Sequence, residues 1–239
     1  MARSVRLFQE FRREQSEPER FYRFLAEDSV RQVGRYADLA GARVLDVGGG
    51  PGWFDDAFAA AGAIYCAVDA DAGEVAARAG RRLAGATVAA DGTALPFPSR
   101  TFDVCFSSNV LEHVERPWPF LDELVRATRP GGTIYCAFTN WFSPWGGHET
   151  SPWHWLGGDR AARRYERRFG RPPKNRYGVT LFPVHVGATL RWARRHPDVD
   201  LIDARPRYYP DWCRPIVAVP GMREVATWNL ATVLRRRPS

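Results

Sequence analysis

Over the first forty positions the apolar residues Phe21, Phe24, Leu25, Val30, Val33 and Tyr36 recur at three- and four-residue steps. That spacing predicts helix for most of residues 1–39. From Arg43 the rhythm changes. Arg43-Val-Leu-Asp-Val47 is a short apolar run ending in glycines, as expected of a strand buried on both faces. The alternation then continues with a helix over Trp53–Ala61, a strand over Ile64–Val68 ending at Asp69, a helix over Glu74–Leu83 and a strand over Ala86–Ala90. A strand over Thr101–Ser107, helix through most of Val110–Thr128 and a strand over Gly132–Phe138 follow. Strands alternating with helices predict βαβ units, hence an α/β fold with a doubly wound parallel sheet. From Thr139 to Pro183 the pattern breaks into tryptophans (Trp141, Trp145, Trp153, Trp155), two glycine pairs and one arginine-rich helix over Asp159–Phe169. An irregular stretch of that length inside a compact domain reads as a binding lid or a second lobe. The α/β pattern resumes with a helix over Val184–Arg195, a strand over Val199–Ala204 and a β-rich run over Val225–Leu234. The expected organisation is a single domain over 1–239: a helical cap (1–39), a ligand-binding core (40–138), a lid insertion (139–183) and the rest of the core (184–239).

Composition narrows the class. An aromatic content of 13% in 239 residues is too rich for a disordered chain. The uncharged run Ala57–Val68 is 12 residues, against the ~20 that cross a bilayer, so no membrane span is expected. The N-terminal MARSVRLFQEFRREQ lacks an apolar core and a small-residue cleavage site, which predicts a cytoplasmic protein. Cys66, Cys105, Cys136 and Cys213 are scattered, with no CxxC pair and no histidine at ligand spacing. Reduced core thiols are expected, and no metal site. The net charge of +7 divides unevenly. Residues 1–158 carry 16 basic and 20 acidic side chains, residues 159–239 carry 18 and 7. The second half therefore suits a phosphate- or carboxylate-bearing partner, or is a solvated basic face. All but one of the basic residues are arginine, Lys174 being the exception, as a GC-rich coding bias would produce.

The candidate chemistry begins at Val44-Leu-Asp-Val-Gly-Gly-Gly-Pro-Gly52. Glycines at 48, 50 and 52 let a strand turn tightly and bring backbone close to a ligand. The spacing is GxGxG rather than the dinucleotide GxGxxG, and Asp46 precedes it. A carboxylate there repels a pyrophosphate and suits an ammonium group, directly or through water. The expected ligand thus has an amino-acid end, which disfavours NAD. Asp69 ends the second strand, where an acid takes ribose hydroxyls. Asp91-Gly92 ends the third, where a short polar side chain and a backbone N–H suit adenine. Ser107-Ser-Asn-Val-Leu-Glu-His-Val114 ends the fourth. All lie at the carboxyl rim, where open α/β sheets bind ligands.

Together with Asp91-Gly-Thr-Ala-Leu-Pro-Phe97 and Arg129-Pro-Gly-Gly132, this set resembles the class I S-adenosylmethionine-dependent methyltransferases over about residues 40–140, most closely those acting on small molecules and lipids. Ser143–Glu149 and Pro173–Gly178 are similar to a set of uncharacterised actinobacterial methyltransferases. One departure is Gly49, where a bulkier residue is usual. The resemblance implies a Rossmann-like seven-stranded sheet with the last strand antiparallel. It implies S-adenosylmethionine as cofactor, with S-adenosylhomocysteine as product. Asp46, Gly48, Gly50 and Gly52 would hold the methionine end, Asp69 the ribose, Asp91 and Gly92 the adenine, and Ser108 and Asn109 would lie near the sulfonium. The N-terminal helix with Phe21 and Tyr22 would fold over the cofactor, bringing Tyr22 to the acceptor, although core packing accounts for these rings equally well.

Methyl transfer to a hydroxyl needs an aligned nucleophile and a place for one proton. Candidate bases are His148, with the adjacent Glu149 to orient it, and His113. His154, between two tryptophans, is a weaker candidate or a packing residue. Trp141, Trp145 and His154 offer stacking surface for an acceptor, or else a satellite core, while Lys174, Arg176 and Tyr177 offer anionic contacts. The expected activity is methyl transfer, O-methylation first, to a small-molecule or glycolipid-like acceptor. The rivals are an RNA methyltransferase using the basic half, a nicotinamide-dependent oxidoreductase, and a binding module without catalysis. Against nucleic acid stand the absence of an appended RNA-binding module, the near absence of lysine and the lack of a base-stacking motif.

Overall fold

A computed structural model describes residues 2–11, 17–79 and 85–238. The strands are β1 (Arg43–Val47), β2 (Ile64–Asp69), β3 (Ala86–Ala89), β4 (Phe102–Ser108), β5 (Thr128–Thr139), β6 (Val199–Pro206) and β7 (Asn229–Arg236). They form one seven-stranded sheet in the order β3-β2-β1-β4-β5-β7-β6. β1 pairs in parallel with β2 and β4, β4 with β5, and β7 runs antiparallel between β5 and β6. The helices are α1 (Ala2–Phe11), α2 (Pro18–Val33), α3 (Asp55–Ala60), α4 (Ala72–Ala79), α5 (Pro117–Ala127), α6 (Gly158–Phe169), α7 (Val186–Arg195) and α8 (Met222–Ala226). None of the described helices is long and apolar enough to cross a membrane.

Successive strand side chains point to opposite faces, and helices cover both. Leu45, Val47, Cys105 and Ile134 pack with Leu121 and Leu124 of α5 and Leu190 of α7. Val44, Tyr65, Phe106 and Tyr135 pack on the other face with Val30 of α2 and Phe58 of α3. Cys105, Cys136 and Cys213 are buried and Cys66 half-buried, all four as free thiols; burial pushes Cys105 up to about 12.

Several boundaries move for local reasons. The expected helix over Val110–Thr128 splits into a single turn at Leu111–His113 and α5, which starts at Pro117, a residue preorganised for a first helical turn. β5 begins at Thr128 and passes through an irregularity at Arg129-Pro-Gly-Gly, where Gly131 has φ 74° and the register shifts opposite Phe102 and Val104. The run Val225–Leu234 straddles the end of α8 and β7. Of the helix expected over Glu74–Leu83, residues 80–83 lie outside the described ones, as do 12–16 of the helical cap.

Residues 140–183 contain no strand. Single turns at His148–Thr150 and Trp153–Leu156 lead into α6, followed by an isolated bridge between Tyr177 and Leu181. This insertion leaves β5 at Thr139, beside the end of β4, where Asn109 donates its N–H to Ala137 O (2.7 Å).

Candidate functional site

The glycine loop is shaped by backbone that only glycine adopts without strain. Gly48, Gly50 and Gly52 have φ of 85°, 50° and 90°. A Cβ on Gly48 would come 2.2 Å from Val110, whereas one on Gly50 would meet nothing within 4 Å, so the loop is open there. Gly48 and Gly49 donate to Val68 O (2.8 and 3.2 Å). Asp69 locks the loop from the end of β2: one carboxylate oxygen accepts the Gly50 N–H (2.9 Å) and the other that of Asp71 (2.9 Å). At the end of β3, Asp91 accepts the Thr93 N–H (2.7 Å). Gly92 is packed so closely that a Cβ would lie 2.5 Å from Phe120.

Asp46 lies beneath the loop, fully buried. The Tyr65 hydroxyl donates to its Oδ2, while Oδ1 has no partner. Burial pushes its carboxyl up to about 7, against the opposing pull of the Tyr65 hydroxyl and the Arg78 guanidinium. Arg78 itself pairs with Asp55, both buried. A side chain at position 49 would press on Ala67 (2.9 Å) and approach Asp46 Oδ2 (3.3 Å) and the Tyr65 hydroxyl (3.4 Å). Gly49 therefore makes room for the Asp46–Tyr65 pair.

At the end of β4, Asn109 holds a left-handed backbone (φ 59°), a conformation that asparagine tolerates better than most side chains. Its Oδ1 accepts from Asn229 Nδ2 (2.8 Å) and Arg207 Nη1 (3.3 Å). Arg207 is fully buried, donates to Ser29 Oγ (2.7 Å) and leaves Nε without a partner. The neighbouring Ser108 Oγ is likewise buried and unpartnered. Arg207 and Asn229 were not legible as site residues, being 98 and 120 positions from Asn109 in the chain.

Three residues further on, the rim meets the insertion. Glu112 is buried; Oε1 accepts the Thr139 N–H (2.9 Å) and Oε2 has no partner. His113 Nδ1 donates to Thr180 O (2.7 Å), which leaves its Nε2 for another contact. The His148 ring lies 5.2 Å from that of His113, and its buried Nε2 has no partner. Burial lowers His148 to about 4, so its imidazole is neutral near pH 7. One donor atom from each of Glu112, His113 and His148 falls within 4.8 Å of the others. Glu149, expected to orient His148, instead accepts both of its contacts from Asn175 Nδ2 (3.1 and 3.0 Å). Adjacent residues in a tight turn project apart, and Glu112 is the carboxylate at the histidines.

The remaining expected acceptor contacts divide. Trp141 and His154 are buried: His154 Nε2 donates to Trp141 O (2.9 Å) and Ser143 O (3.2 Å), and the two rings meet edge to face. They fasten the insertion. Trp145 and Tyr177 are exposed, against Trp228 (6.0 Å) and Trp141 (5.2 Å) respectively. Lys174 and Arg176 are exposed on the segment that reaches His113 through Thr180. Tyr22 stacks on Trp53 (5.9 Å, 10°), which brings α2 against the exit of the glycine loop.

Comparison with known proteins agrees with this geometry. The family described as "Methyltransferase domain" matches residues 45–136. The chain is 50% identical to an uncharacterised methyltransferase of Mycolicibacterium vanbaalenii, over 98% of this chain and 94% of the relative. It is 48% identical to one of Mycobacteroides abscessus, over 99% and 95%. Among solved structures, an S-adenosylmethionine-dependent methyltransferase from Mesorhizobium loti shares the fold, with a TM-score of 0.61 at 21% identity over 87% of this chain and 96% of that one.

Proposed function

The chain belongs to the S-adenosylmethionine-dependent methyltransferases, and on that premise we propose that it methylates an oxygen of a small-molecule or glycolipid-like acceptor held between the carboxyl rim and the insertion. The residues present fit the cofactor. The open backbone at Gly50, the unpartnered Asp46 Oδ1 and the unpartnered Ser108 Oγ are polar positions awaiting a ligand with both charged and neutral ends. When bound, S-adenosylmethionine supplies the activated methyl group. Asp46 and the loop glycines hold its methionine end, Asp69 the ribose, and Asp91 with Gly92 the adenine. Arg207 and Asn229 hold Asn109 in place beside the reacting centre.

The acceptor side is carried by one observation: two histidines and a carboxylate converge, with unpartnered buried atoms, where the rim meets the insertion. Glu112, His113 and His148 gather about the acceptor oxygen and assist the loss of its proton. Trp145, Tyr177, Lys174, Arg176 and Tyr22 line the approach. Incubating the protein with methyl-labelled cofactor and an actinobacterial metabolite extract tests this. Label in a small-molecule or lipid product whose new methyl is on oxygen supports the reading. Label confined to RNA overturns it in favour of an RNA substrate for the basic half.

A further inference from the structure

The sequence shows no metal-ligand spacing, because Glu112-His113 and His148 are far apart in the chain. The fold nevertheless brings them together, and we propose that Glu112, His113 and His148 bind a divalent transition-metal ion of the zinc type at the seam between rim and insertion. Their donor atoms lie within 4.8 Å of one another. Around an ion at ~2.0–2.2 Å from each ligand the donors sit ~3–4 Å apart, so closure is within reach of side-chain rotation.

Glu112 Oε2 and His148 Nε2 are buried without any hydrogen-bond partner. Buried polar atoms are ordinarily satisfied, and two orphaned ones on residues that the fold brings together call for a ligand. The surrounding contacts are those that orient metal ligands. His113 commits Nδ1–H to the Thr180 carbonyl and so keeps Nε2 for a ligand, while Glu112 commits its other oxygen to the Thr139 N–H. Two imidazoles and one carboxylate suit zinc, cobalt(II) or iron(II); magnesium and calcium prefer all-oxygen sites.

Three protein ligands leave a coordination position open, the arrangement of catalytic rather than purely structural zinc sites. With one carboxylate among them the ion keeps a net positive charge, suited to an oxygen of the acceptor. A hydroxyl bound there would lose its proton to water at lower pH than it does free. The three side chains then act by holding the ion instead of taking the proton themselves. That acceptor role rests on the methyl-transfer reading; ion binding itself does not. Because His148 comes from the insertion and the other two from the rim, the ion would also pin the insertion to the core, alongside the Phe182 N–H to Glu112 O bond (2.8 Å).

The test uses the full chain, stripped of metal by chelator and titrated with Co²⁺. One equivalent should give the visible ligand-field bands of four- or five-coordinate cobalt, displaced by Zn²⁺. His148→Ala and Glu112→Gln should each weaken binding by at least ~10²-fold, while His196→Gln, remote from the cluster, leaves it unchanged. Binding of S-adenosylhomocysteine, measured on the same samples, reports that each variant is folded; should Glu112→Gln fail to fold, His113→Ala replaces it. Absence of cobalt bands, or unchanged affinity in folded His148→Ala, overturns the site. Metal uptake without S-adenosylhomocysteine binding would leave the site standing and sink the methyltransferase reading.

Discussion

The core of residues 40–138 is held by periodic backbone pairing, whereas the segment of residues 140–183 is held by side-chain contacts and a few single backbone bonds. β1 is paired on both edges, so its side chains are divided between two faces by geometry alone and its end falls at the ligand rim. The insertion has no ladder to set its register. His154 reaches the carbonyls of Trp141 and Ser143, the Trp155 indole reaches Phe142 O (3.2 Å), and Asn175 reaches Glu149. The difference changes what a residue type means. Gly48 is a glycine both because its backbone is left-handed and because a Cβ would meet Val110. Gly147, with φ −86°, is one for the second reason alone: a Cβ would lie 2.5 Å from the His154 ring.

That contrast is sharpest between the two glycines. Gly48→Ala adds left-handed strain and a clash with Val110, and should destabilise the fold by about 2–5 kcal/mol and abolish cofactor binding, read by thermal melting and calorimetry. Next, Asp69→Ala removes both the expected ribose contact and the lock on Gly50. It should weaken cofactor binding by about 1.5–3 kcal/mol, the range for hydrogen bonds to a charged group; an unchanged dissociation constant places the ribose elsewhere. In the insertion, His154→Ala removes the donor to the Trp141 carbonyl and opens a cavity. Stability should fall by about 1–3 kcal/mol with cofactor affinity intact, and a loss of cofactor affinity in the folded variant would blur the division between the two regions.

The smallest effect is a pH dependence at Asp46. Its folded value of about 7 lies above the ordinary carboxylate range, so between about pH 4 and 7 the folded protein retains a proton that the unfolded chain has released. Stability of the ligand-free protein therefore falls as pH rises through that window and levels off above it. Binding an ammonium group favours the ionised carboxylate, so cofactor affinity should rise about tenfold between pH 6 and 8, some 1.4 kcal/mol. Asp46→Asn should flatten both curves.

The same contrast explains what the sequence made legible. The loop glycines, Asp69 and Asp91 announce themselves because each follows its own strand within a few residues. Arg207, Asn229 and the metal-type cluster do not, because strand order and the return of the insertion assemble them from distant segments. Trp141 and His154 stay ambiguous in the sequence for a different reason: aromatic rings and a histidine in a glycine-rich stretch read alike whether they face a ligand or one another. The pairing of His148 with Glu149 fails because adjacency along a single turn separates side chains.

The central claim is that the glycine loop and the acids at the ends of β1, β2 and β3 form a site for S-adenosylmethionine. Calorimetric titration of the purified protein with S-adenosylhomocysteine, and separately with NAD, tests it most directly. The account predicts one site of micromolar affinity for S-adenosylhomocysteine and no heat of binding from NAD; binding of NAD with none of S-adenosylhomocysteine would contradict it.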